Sequence, residues 1–232
     1  IGWVGNVETG GGTKERYLAR LFAMRFTDHS RLAVYGNMNN LNDDRKPGEN
    51  DNWSPSDLFG GLTQQQLGGL DYNIDARSGK YKLSGNAQVK HADNTIVNNT
   101  NRTNFLANGD TYDRIVANNR NHNFTLSTDH QFYFEFKNAN LNIKPRFNYQ
   151  YYNNKSGYSS LTLNRSFTSF SKAQLDSLYT PMIGRELIRT AINRNLRNGL
   201  SIGHSLEGSV SMESLIKFKH SPDHVTLYAD AS

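Results

Sequence analysis

The sequence contains no cysteine among its 232 residues. That excludes thiol nucleophiles, thiolate zinc sites and a disulfide framework. It also lacks any run approaching ~18 apolar residues, so no transmembrane helix is expected. Helical material is scarce. Ser171 could cap a short helix through Leu178, and a second stretch is conceivable from Arg185 to Leu196. A strong charge of one sign is absent too. The formal net charge is +5, and Lys and Arg are scattered, so no nucleic-acid partner is expected. Hydrophobic residues make up only 36% of the chain, and the mean hydropathy is −0.71. Either partial disorder or a strand barrel with polar loops and a polar lumen would give such values. The 12 Tyr and 12 Phe argue against disorder. A barrel crosses a membrane with only about ten alternating residues per strand.

What the chain does have is a rhythm of turns. Short polar turns fall near Asp28-His29-Ser30, Arg77-Ser78-Gly79, Asn138-Ala139-Asn140 and Ser221-Pro222-Asp223. Long polar excursions run roughly 42–64, 95–118 and 154–195. Tight turns at one end and loose ones at the other describe an up-and-down antiparallel sheet. A transmembrane β-barrel has this asymmetry, with short periplasmic turns and long extracellular loops.

Between the turns, apolar and polar residues alternate. Over 80–91, Tyr81, Leu83, Gly85, Ala87 and Val89 oppose Lys82, Ser84, Asn86, Gln88 and Lys90. Successive strand side chains face opposite sides, so this run has one apolar and one polar face. Residues 141–151 repeat the pattern, although Pro145 cannot donate a ladder hydrogen bond and predicts a bulge or an edge. The run 200–220 could reach ~70 Å at roughly 3.3 Å per residue, beyond a bilayer core, and fits a strand that continues into an extracellular hairpin. Residues 123–136, 66–76 and 31–41 read as further strands, and 17–27 has no clear apolar face. A half strand, Trp3 to Thr9, is expected to join 17–27 through Gly10-Gly11-Gly12, and a last strand starts near His224. The count is about nine strands in sequential hairpins.

The polar faces are rich in Asn, Lys, Gln and Glu and must be wet. The apolar faces need a dry cover, and with so little helix lipid is the simplest one. Aromatic residues crowd the strand ends, among them Phe132, Tyr133, Phe134 and Phe136 beside the turn at 138–140. Such rings suit interfacial girdles, and ordinary cross-strand pairing would place rings there as well.

Several strings carry a family likeness. RFTDHSRLAVYGNMNNLNDDRKPGENDNWSP (25–55) resembles the outer-membrane β-barrel domain of Bacteroidetes-type proteins related to TonB-dependent receptors. GGLDYNIDARSGKYKLSGNAQVKHAD (68–93), RTNFLANGDTYDR (102–114), TDHQFYFEF (128–136) and NNKSGYSSLTLN (153–164) are similar to the same domain. The resemblance implies a longer protein, with a carboxypeptidase-regulatory-like β-sandwich and a plug upstream of a barrel of about 22 strands. Residues 1–232 would then be part of one barrel domain, truncated at both ends, in the outer membrane of a Gram-negative bacterium. The partners so implied are outer-membrane lipid, the plug of the same chain, TonB and a surface lipoprotein.

The site residues follow from face and loop position. Lys82, Lys90, Lys144, Arg146, Glu207 and Lys217 are expected to face the lumen. Trp53, Phe59, Phe105, Tyr112, Tyr158 and Phe167 sit in or beside the long loops, where they could contact a ligand or pack the loops together. The loop from Asn40 through Asp44 to Asp51 is rich in oxygen ligands but lacks the EF-hand spacing. Turn-forming Asn and Asp explain it equally well. The seven histidines are dispersed; His220 and His224 flank a turn. Asp110 and Asp113 could pair as carboxylates. Neither a catalytic triad order nor a phosphate-binding glycine loop is present. The expectation is therefore a transporter or surface binder, not an enzyme, with no cofactor and no metal. The alternatives are a soluble or surface-attached β-sheet binding module and a structural outer-membrane anchor without cargo.

Overall fold

The structure, a computed structural model, describes residues 1–43, 61–171, 173, 191–218 and 224–232. It is all-β. Among the described residues, nine strands pair in sequence order, β1 (Gly2–Gly12), β2 (Arg16–Phe26), β3 (Ser30–Asn39), β4 (Leu62–Asp75), β5 (Tyr81–Asn104), β6 (Thr111–Glu135), β7 (Ala139–Leu163), β8 (Ala191–Lys217) and β9 (His224–Ala231). The sheet is antiparallel and up-and-down, and the two end strands do not pair with each other. No described helix is long and apolar enough to cross a membrane, which says nothing of a β-barrel.

The chain divides into two compact units. The first comprises 1–93, 122–152 and 203–232; the second comprises 94–121 and 153–202. Strands β5 to β8 are 24 to 27 residues long and contribute to both.

The expected number of strands is present, with three local corrections. Gly10-Gly11-Gly12 does not form the first hairpin. These glycines stay in β1, opposite Leu18, Tyr17 and Arg16, and the turn follows at 13–15. Lys14 and Glu15 both take φ 58, so the turn has the left-handed pair that matches strand twist. Continuing the ladder through glycine satisfies backbone groups that an earlier turn would leave unpaired. The second correction concerns one of the two alternatives for Pro145: its strand is paired on both sides, so it does not mark an edge. The third concerns the excursions. Much of 95–118 is strand, with only 105–110 joining β5 to β6, and Ala191 to Leu196 belongs to β8, not to a helix. The helix expected from Ser171 to Leu178 lies outside the described residues, apart from positions 171 and 173.

Within the first unit the register sorts the faces. Val34 lies opposite Ala23 and Leu70; Met38 lies opposite Ala19 and Gln66. Leu32, Val34 and Met38 are exposed, while Ala33, Tyr35, Asn37 and Asn39 on the other face are buried. The ambiguity of β2 is resolved by pairing: Ala19, Leu21 and Ala23 share the exposed face. Val7 in β1 lies opposite Leu21 on this face, and in β8 and β9 the exposed Val210, Met212 and Leu227 share a face. Only Ala33, Tyr35, Leu67, Leu161 and Leu163 are buried apolar residues among those described.

Candidate functional site

Three constellations of polar side chains stand out. The first is on the buried face of β2–β4, in the first unit. Asn39 is fully buried; its Nδ2 donates to Asn37 Oδ1 (2.9 Å) and to the Asp43 carbonyl (2.7 Å). Its Oδ1 accepts from the Leu41 and Asp43 amides at 3.0 and 3.3 Å. Gln65 Nε2 donates to the same Asp43 carbonyl at 2.9 Å. Alternation puts Asn37 and Asn39 on one face of β3, and a short amide side chain can hold the backbone of the loop that follows. Arg20 pairs with Glu8 at 3.2 Å and also with Asp43. This network ties the foot of the loop after β3 to the sheet.

The oxygen-rich loop starts here, but its first oxygens are already engaged. The Asn40 side-chain oxygen accepts from the Tyr17 amide (2.9 Å), and that of Asn42 accepts from the Thr63 amide (2.7 Å). Asp43 is paired with Arg20. Asp44 to Asp51 lie outside the described residues.

The second constellation is in the second unit. Asp113, the third residue of β6, has a side chain only 13% exposed. Its Oδ2 accepts from Arg102 Nη2 (2.7 Å), Arg102 Nε (3.2 Å) and Asn104 Nδ2 (2.9 Å), all on β5. Its Oδ1 accepts from Thr162 Oγ1 on β7 (2.7 Å). One carboxylate thus clamps three strands. The hydrogen bonds from Arg102, then those from Asn104 and Thr162, hold its pKa below the usual carboxylate range. Asp113 is therefore a partner of Arg102, and the structure shows no bond from it to Asp110 among the described contacts. On the opposite face of β7 from Thr162, Leu161 and Leu163 form a small core with Tyr112, Phe167, Phe170 and Ala191.

The third constellation is in the first unit. His91 and Asp93 lie two apart on β5, and His122 lies on β6. His122 Nδ1 is 3.0 Å from Asp93 Oδ1 and 3.4 Å from His91 Nε2. Tyr151 of β7 meets the His122 ring edge-on, with centroids 6.1 Å apart. Alternation along β5 places His91 and Asp93 on the face of Val89, away from Lys90.

The residues singled out by sequence distribute unevenly over this frame. Tyr112 and Phe167 turn their rings onto each other, 6.0 Å apart at 75°, and onto the leucine pair. Phe105 is 82% exposed, and Tyr158 is also exposed. Trp53 and Phe59 lie outside the described residues. Lys82 lines an open groove of about 550 Å³ with Asn73, Ser84, Gln131 and Glu135. Arg146 pairs with Asp129 at 3.0 Å. Lys90 and Lys144 are half-buried, whereas Glu207 and Lys217 are exposed. His224 starts β9, and His220 lies outside the described residues. Sequence reasoning missed the third constellation. The His-x-Asp spacing within β5 was its only local signal; His122 stands apart in the chain.

Compared with protein-family models and with curated proteins, the chain gives no match.

Proposed function

We propose that the chain forms part of an outer-membrane β-barrel, belonging to a TonB-dependent receptor-like transporter that takes up or binds an extracellular ligand. One observation carries the membrane reading. On β3 the buried side chains include Asn37 and Asn39, while Leu32, Val34 and Met38 of the same strand are exposed. A water-soluble sheet does the reverse, because burying an apolar side chain contributes about 1.5–3 kcal/mol relative to leaving it in water. A sheet with a wet face towards a lumen and an apolar face towards lipid has this inverted order. Length agrees with it. About ten residues per strand suffice to span, so strands of 24 to 27 residues extend well beyond the hydrocarbon.

The transport half of the proposal rests on the resemblance in residues 25–55, 68–93, 102–114, 128–136 and 153–164. In this reading the connections beyond the long strands capture the ligand. Lys82, Lys144 and Arg146 line the polar path or contact a plug. The residues of the second unit, including the Asp113 clamp, hold the outer ends of β5–β7 in place.

The test is the solution behaviour of the chain. The proposal expects folding only in detergent or lipid, with the apolar face shielded. A monodisperse, folded species in plain buffer would overturn it in favour of a soluble β-sheet binding module. Growth of a deletion strain on single nutrients then separates a transporter from a structural anchor: loss of growth on one nutrient supports uptake, and unchanged growth on all supports an anchor.

A further inference from the structure

We propose that His91, Asp93 and His122 form a binding site for a borderline divalent cation of the zinc type, at the junction of β5 and β6. The inference does not depend on the membrane reading, since it stands on three side chains of one compact unit. Their ligand atoms all lie within 4.8 Å of one another. Zinc binds imidazole nitrogen at about 2.0–2.1 Å and carboxylate oxygen at about 2.0–2.2 Å, so the edges of its coordination tetrahedron are roughly 3.3 Å. The observed separations are 3.4 Å for His91 Nε2 to His122 Nδ1 and 3.0 Å for His122 Nδ1 to Asp93 Oδ1. They bracket that edge.

The chemistry of the donors selects the ion. Two imidazoles and one carboxylate suit zinc, copper or nickel and are a poor set for calcium or magnesium, which prefer all-oxygen shells. The single negative charge of Asp93 offsets part of the ion's charge. Three protein ligands leave a fourth tetrahedral position open to water or another ligand.

The scaffold brings the three groups together by simple rules. Residues two apart on a strand share a face, so His91 and Asp93 project side by side. β6 runs beside β5 and supplies His122 from the neighbouring strand. The edge-on Tyr151 ring limits the rotation of the His122 imidazole. Without metal, one Nδ1 atom faces both a carboxylate oxygen and a second imidazole nitrogen, and a single Nδ1 proton cannot bridge both. A cation bound there would take one lone pair from each of the three groups, which satisfies them together. Bound there, it would cross-link β5 to β6.

The experiment is zinc titration of the full chain, folded in whichever medium keeps it monodisperse, against a fluorescent chelator. One equivalent of Zn²⁺ per chain is expected. His91→Asn, Asp93→Asn and His122→Asn should each weaken affinity by at least about tenfold, the loss seen even when a group that merely orients a ligand is removed. His29→Ala, at a turn outside the cluster, should leave it unchanged. Unaltered far-ultraviolet circular dichroism shows that each variant still folds. Cobalt provides a second readout: the wild type should give the visible bands of a tetrahedral site, and His122→Asn should lose them. Absence of saturable zinc binding by the folded wild type would overturn the site. So would undiminished affinity in any of the three Asn variants.

Discussion

Replacing Asp113 with alanine should loosen the parts of β5, β6 and β7 that lie in the second unit while leaving the first unit unaffected. Four hydrogen bonds end on this carboxylate, two of them from Arg102. Bonds to a charged group contribute about 1.5–3 kcal/mol each when they are shielded from water. The Arg102 side chain is 64% exposed, so its pair is discounted to the ~0–1 kcal/mol of a surface ion pair. Asn104 and Thr162 are half-buried, and at the low end of the range they contribute about 1.5 kcal/mol each. The expected local loss is therefore about 3 kcal/mol, which is roughly a hundredfold in an opening equilibrium. Native-state hydrogen exchange resolves such local opening. Amides of 101–104, 111–115 and 160–163 should exchange faster by about that factor, and those of β2 and β3 should not change. Exchange in these segments within about threefold of wild type would refute the clamp, because ~0.65 kcal/mol is too little for even one buried bond to a carboxylate. Acid provides an independent check. Asp113 is more acidic in the native state than in the unfolded chain, so the unfolded chain binds more protons and stability rises with pH. The clamp is fully present above the ordinary aspartate range, above pH ~5, and is lost as pH falls below ~4 through the native value. Asp113→Ala should abolish that part of the acid sensitivity.

Two further predictions address the sheet itself. Val34→Arg, in the middle of the exposed row of β3, should cost about 2–4 kcal/mol of folding stability in a bilayer and block insertion if lipid covers that face; a soluble module would tolerate it at an exposed position, so unchanged stability refutes lipid contact. Gly85→Ala should destabilise by about 1–3 kcal/mol in urea titration, as overpacking does, because the added Cβ would come 2.7 Å from the Asp129 carbonyl oxygen and would also collide with His130 Nδ1. Gly11→Ala, with nothing within 4 Å of its Cβ, serves as the control and should stay close to wild type. Equal effects of the two would show that the close approach at Gly85 is not a constraint.

Much of the secondary structure was legible because alternation is local. The run from Tyr81 to Val89 shows its two faces without reference to any neighbour, and so do Leu32, Val34 and Met38. The turn after β1 was not legible. Three glycines are a turn signal in isolation, and only pairing with Leu18, Tyr17 and Arg16 keeps them in the strand. Strand β2 shows the same limit. Leu21 and Phe22 are both apolar, and nothing within the strand says which one joins the exposed row.

By itself, the sequence determined the class of the fold, the number of strands, the polar and apolar sides of most of them and the absence of thiol chemistry. These are properties of neighbouring residues and of composition. Tertiary structure decided which face is buried, that Asp113 is held by Arg102, Asn104 and Thr162, and that His91 and Asp93 meet His122. Each of those outcomes depends on strand register, and a shift of one residue would turn every side chain of a strand to the other face. Register is set by contacts between segments distant in the chain, so the clamp and the histidine cluster exist only once the strands are paired.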